Sequence, residues 1–89
     1  MKIKKGFSLR KVSNHYVVVP LEEATNYFKG VIHLNETSAF LWQALEKGMS
    51  NRIELTKVFM KEYNIDKETA SNDVDDFLKV LIDANVIER

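Results

Sequence analysis

Residues 30–48, GVIHLNETSAFLWQALEKG, change their hydrophobic period at Asn35. Upstream the pattern is that of a strand: Phe28, Ile32 and Leu34 fall on one face of residues 27–34, and Tyr27, Lys29, Val31 and His33 on the other. Gly30 interrupts this strand and marks a bulge or a close backbone approach. Downstream, Asn35 is a good N-cap, Glu36 complements the helix dipole, and Ala39, Phe40, Trp42, Ala44 and Leu45 supply apolar bulk until Gly48 offers a stop. The spacing predicts a helix over 36–47. Phe40 and Trp42 are two apart and point in different directions, and packing explains them better than a cofactor or a base-stacking site does.

Upstream, residues 7–12 and 16–19 are rich in β-branched and aromatic residues and read as two strands joined by turn chemistry at Ser13-Asn14. Pro20 closes the second, since proline cannot donate to a ladder, and residues 21–26 are a connection. Downstream, Ser50 or Asn51 starts a second helix, Asn51 and Glu54 having capping-box spacing, with Leu55, Val58, Phe59 and Tyr63 in its stripe and Asn64 at its end. Asp66 caps a third, in which Ala70, Val74, Phe77, Leu78, Leu81 and Ile82 keep helical period until Asn85; Val86-Ile87 make a short extended tail. The order is therefore α+β: a three-stranded antiparallel sheet followed by three helices, winged-helix-like with the sheet placed first.

With 89 residues, 45% hydrophobic and 29% charged, the chain is expected to form one compact domain over residues 1–89, with enough core to fold but too little to enclose a deep active site as well. Thirteen basic and thirteen acidic residues cancel, which removes the long-range field that draws in nucleic acid or an anionic membrane. The absence of cysteine excludes disulfides and a cysteine nucleophile. Neither a signal peptide nor an apolar run of spanning length is visible, so a soluble, cytoplasmic protein is expected.

Chemistry is sparse. His15 and His33 lie on separate strands without a metal-ligand motif and read as ordinary strand residues; the serines lack a nucleophile elbow, and Gly6, Gly30 and Gly48 are too scattered for a phosphate loop. No cofactor and no catalysis are expected. Lys2, Lys4, Lys5, Arg10 and Lys11 read as a solvated basic arm, and the acidic residues of helices two and three weigh against DNA. The carboxylates Asp73, Asp75, Asp76 and Asp83 are either a solvated face or, for Asp73 and Asp76 flanking Phe77, the rim of a groove that recognises a basic or hydrogen-bonding partner. Strand three is an edge with no sequence sign of a partner. It can accept an added peptide strand against a wall made by Phe77, Val80 and Leu81, be protected by Lys29 and His33, or pair with a second copy in a homodimer.

The joint spacing of HLNETSAFLWQALEKG, then EYNID, then ETASNDVDDFLKVLIDANVIE resembles the PqqD-like family, small proteins of pyrroloquinoline quinone biosynthesis and related peptide-modifying pathways. Leu34, Asn35, Thr37, Ala39, Trp42, Tyr63, Asp66, Asp73, Val74, Phe77, Leu78 and Leu81 fit its pattern; Asn85 stands where a small residue is common. The resemblance implies a RiPP recognition element, which binds the leader region of a ribosomally made precursor peptide as an added strand and delivers it to a modifying enzyme, often a radical SAM protein. Carried onto this sequence, the peptide-binding residues are Lys29, Gly30, Val31, Ile32, His33 and Leu34 on the strand and Asp73, Asp76, Phe77 and Val80 on helix three. A winged-helix nucleic-acid-binding protein is the alternative.

Overall fold

The computed structural model describes every residue except Tyr27, Lys29 and Arg89. Its elements are β1 (Lys2–Ile3), β2 (Phe7–Val12), β3 (His15–Pro20), a 3-10 turn (Glu22–Asn26), β4 (Ile32–Leu34), α1 (Glu36–Glu46), α2 (Arg52–Tyr63), α3 (Lys67–Asp83) and β5 (Ile87–Glu88). The antiparallel sheet has the order β2-β3-β4, the expected meander. Its register aligns Leu9, Val18 and Ile32 in one row and Arg10, Val17 and His33 in the next. Because side chains of paired residues share a face, the first row points into the core and the second lies on the outer face. Val18 and Ile32 are buried and Leu9 packs against them, while Arg10 and His33 are exposed.

The three helices cover the inner face. Each begins where a polar cap satisfies an otherwise unpaired amide. Asn35 Oδ1 accepts from the Ser38 amide at 2.8 Å, Asn51 Oδ1 from the Glu54 amide at 2.8 Å, and Asp66 Oδ1 from the Thr69 amide at 3.3 Å. The Asn51 cap is reinforced by its own amide donating to Glu54 Oε1 at 2.6 Å, a side-chain pair rather than a full capping box. α1 and α3 both close in Schellman turns: Gly48 (φ +106°) and Asn85 (φ +62°) take the left-handed position, and the amides of Met49 and Val86 bond back to Ala44 and Leu81. Asparagine at 85 therefore does what a glycine would. Trp42, Phe59, Leu41, Leu55, Leu81, Val18, Val74 and Val86 are fully buried, so every helix, the middle strand and the tail meet in one core. Phe40 turns instead toward α2, stacking on Phe59 and meeting Tyr63 edge-on at 5.6 Å. Both aromatics of α1 are packing residues.

Two expectations are corrected. The N-terminal lysines do not form a free arm: Lys2 and Ile3 pair with Glu88 and Ile87, and the Lys4 amide donates to the Val86 carbonyl at 2.8 Å. A two-residue strand is too short to have a period, which is why the pattern hid it. The third strand is also shorter than the expected 27–34. Phe28 donates its amide back to Ala24 at 2.9 Å and packs edge-on against Phe7, which holds it to the 3-10 turn, and Gly30 then turns the chain with φ +97°. The 3-10 turn is itself seated on Gly6, where an added Cβ would stand 2.9 Å from that of Ala24. Among the described residues of this segment, Ile32–Leu34 alone pair with β3; Tyr27 and Lys29, also expected in the strand, lie outside the described residues.

Burial predicts the response to truncation. Trp42→Ala should cost about 3–5 kcal/mol in chemical denaturation. Trp42→Phe should cost less, because the buried indole N–H finds no acceptor among the described residues and its removal offsets part of the lost packing. Ile53→Ala, at a side chain 65% exposed, should stay within about 0.5 kcal/mol of the parent.

Candidate functional site

β4 ends the sheet, and no described strand pairs with its outer edge. Its side chains alternate as the period required: Ile32 and Leu34 are buried and His33 is exposed. Of the strand residues expected to bind, Ile32, His33 and Leu34 are on β4, Gly30 and Val31 lie in the exposed approach to it, and Lys29 lies outside the described residues. Val31, in the approach to this edge, exposes 45% of its surface.

One residue, Asn35, separates β4 from α1, so the strand's end and the first turn of α1 are held together. Asn35 Oδ1 takes the Ser38 amide and also the Thr37 hydroxyl at 3.0 Å, which fixes that turn. Opposite it stands α3. Asp73, Asp76, Phe77 and Val80 recur at i, i+3, i+4 and i+7, one side of a helix with 3.6 residues per turn. All four line a groove of about 250 Å³ that α1 closes from the other side with Asn35, Thr37, Ser38 and Leu41, and that Phe59 also lines. The structure thus brings the four helix-three candidates together, next to the end of β4. The α1 wall was not among the candidates. Its signal in the sequence was the N-cap itself, since a cap one residue beyond a strand places the helix's first turn beside that strand's end.

Phe77 is only 4% exposed and belongs to the floor, whereas Val80 is 49% exposed and free to be covered. The volume is below the roughly 300–1,000 Å³ of small-molecule sites. It fits one or two side chains of a larger ligand. No cation among the described residues lines the groove, so Asp73 and Asp76 give it an acidic rim.

The helix-three carboxylates divide by their surroundings: Asp73 and Asp76 line the groove, and Asp75 and Asp83 do not. Asp75 and Asp83 are engaged within the chain: Asp83 accepts from Lys79 at 2.9 Å, and Asp75 receives the Arg52 guanidinium through Nε and through Nη2, the latter at 2.9 Å. Arg52 Nη2 also donates to Ser71 Oγ at 2.6 Å, joining α2 to α3. The hydrogen bond from Arg52 holds the Asp75 carboxyl below the usual carboxylate range, and that from Thr69 does the same for the Asp66 cap.

His15 and His33 come together across β3 and β4, with ring centroids 6.1 Å apart on the outer face, but no group of three histidines or carboxylates able to hold a metal lies among the described residues. No helix among the described residues is long and apolar enough to cross a membrane.

Residues 15–87 match the family model described as coenzyme PQQ synthesis protein D (PqqD), and the chain belongs to that family. No curated protein matches it in sequence. Among solved structures it is similar to TbiB1 in complex with the TbiA(beta) leader peptide, at 24% identity over 99% of this chain and 95% of that one, with a TM-score of 0.76. It is also similar to a lasso peptide synthetase B1 complexed with the leader peptide, at 16% identity over 99% and 96% of the two chains and a TM-score of 0.74. The two likenesses establish the fold.

Acid sensitivity follows from Asp75. Its folded pKa lies below the unfolded one, so the pair's contribution is present above the ordinary carboxylate value of about 3.9 and is lost as pH falls through the lowered folded value. Melting temperature followed from about pH 5 to pH 2 should fall less steeply in Asp75→Asn than in the parent. A residual slope should remain, because the Asp66 carboxyl is shifted the same way.

Proposed function

We propose that this chain is a leader-peptide-binding adaptor. It takes the leader of a ribosomally made precursor as a strand added to the free edge of β4, lets leader side chains settle into the groove between α1 and α3, and presents the precursor to a modifying enzyme such as a radical SAM protein. The observation that carries the reading is the unpaired edge of β4 beside that groove: one offers main-chain hydrogen bonds, which give affinity, and the other offers side-chain pockets, which give specificity. Family membership supports it, as do the two similar structures, each a complex with a leader peptide.

In this reading Ile32, His33 and Leu34 supply the pairing backbone, with Gly30 and Val31 guiding the leader in and Lys29 just before them. Val80 and Phe77 receive an apolar leader residue, and Asp73 and Asp76 receive a cationic or hydrogen-bond-donating one. With only three residues in β4, the backbone ladder is short, and the groove must supply much of the discrimination. The chain performs no catalysis itself, acts as one domain, needs no cofactor, and works in the cytoplasm where precursors are made.

Titration of the ¹⁵N-labelled chain with candidate leader peptides tests this. Backbone shifts should concentrate at residues 30–34 and along α3 at 73–80; saturable binding that leaves both unmoved would remove the reading. Val80→Glu should weaken leader binding at least tenfold, about 1.4 kcal/mol, without changing the melting temperature, whereas Asp75→Asn should leave affinity unchanged. Sedimentation at the titration concentrations separates leader binding from pairing of β4 between two copies, which would compete for the same edge.

A further inference from the structure

α3 has a second groove on its other side. Arg52, Ile53, Thr56, Lys57 and Met60 from α2 line it with Lys67 from α3, around about 420 Å³, and it shares no residue with the α1–α3 groove. Ile53 is the most exposed large hydrophobic residue described, at 65%, and Met60 is partly buried. Thr56 is buried, but its hydroxyl already donates to the Arg52 carbonyl at 2.8 Å, so that donor needs nothing from an occupant. Every charged group lining the groove is a cation. Arg52 is neutralised by Asp75, while Lys57 and Lys67 form no salt bridge with a described residue and leave the rim at two positive charges. In a chain whose net charge is zero, this is a local field opposite in sign to that of the acidic groove across α3.

We propose that the α2–α3 groove docks an acidic amphipathic helix of a partner protein. The length fits: residues 52–60 of α2 run about 12 Å at 1.5 Å per residue, two turns, the span over which a docked helix presents apolar anchors at i, i+3 or i+4, and i+7. The charge fits as well, since carboxylates flanking those anchors meet Lys57 and Lys67. On the function proposed above, the partner is the modifying enzyme, and α3 separates precursor from enzyme so that both are held at once. Only that identity rests on the leader reading; the chemistry of the groove does not.

A synthetic helical peptide of leucine and glutamate, with leucines at i, i+3, i+4 and i+7, is the probe, and its lysine-for-glutamate counterpart is the control. Added to the ¹⁵N-labelled full chain, the acidic peptide should shift amides of residues 52–60 and 67–71. It should bind at least tenfold tighter than the basic peptide and weaken steeply between 50 and 300 mM salt. The Lys57→Glu/Lys67→Glu double variant should reverse the preference, and Ile53→Asp should abolish binding of the acidic peptide at an unchanged melting temperature. Equal binding of both peptides, or no saturable shift in this groove, overturns the proposal. Shifts at residues 30–34 and 73–80 in the separate leader titration report on the leader reading alone, so the two can fail independently.

Discussion

The turn at Asn35 governs the arrangement of the protein. Leu34 is buried as the last residue of β4, Glu36 already belongs to α1, and a single residue carries the chain through the corner. Its side chain binds both Thr37 and the Ser38 amide, so the helix direction is set by the same residue that ends the strand. From there Leu41 and Trp42 enter the core, and the meander cannot tilt relative to the helices without exposing them. An open edge on a loosely attached strand would fray. Here it is fixed at one end by a capped helix and along its length by Val18 and Tyr16 of the middle strand.

α3 makes the remaining geometry. A helix of seventeen residues with one continuous apolar stripe has two flanks, and the two differ. Ala70, Val74, Phe77 and Leu81 face the core; Asp73, Asp76 and Val80 form one flank; Lys67, Ser71 and Asp75 form the other, where Arg52 ties the helix to α2. Carboxylates only one or two residues apart therefore live in different surroundings. Asp75 is held by a guanidinium and Asp73 and Asp76 line an open groove, a division set by the 100° step between neighbouring residues.

Long periodic segments were legible in the sequence. The three helices, their Asn35, Asn51 and Asp66 caps, the Asn85 stop and the meander all follow from spacing and cap chemistry, and so does the flank carrying Asp73, Asp76, Phe77 and Val80. What was hidden depends on contacts distant in sequence. The pairing of Lys2–Ile3 with Ile87–Glu88 joins two-residue pieces from opposite ends of the chain, and no local pattern encodes it. The shortening of β4 is a contest between alternation, which favours a strand from residue 27, and two contacts of Phe28, whose amide bonds back to Ala24 in the preceding turn and whose ring packs on Phe7 of β2. The α2–α3 groove was likewise unreadable, because it requires knowing that residues 52–60 and 67–71 share a crevice.

The central claim is that a leader peptide becomes the fourth strand of the sheet. Isotope-filtered NOE spectra of the labelled chain with an unlabelled leader peptide test it most directly. The account predicts cross-strand contacts between leader backbone protons and those of Ile32, His33 and Leu34, together with side-chain contacts to Val80. A tightly bound leader that shows contacts elsewhere and none to β4 would contradict it.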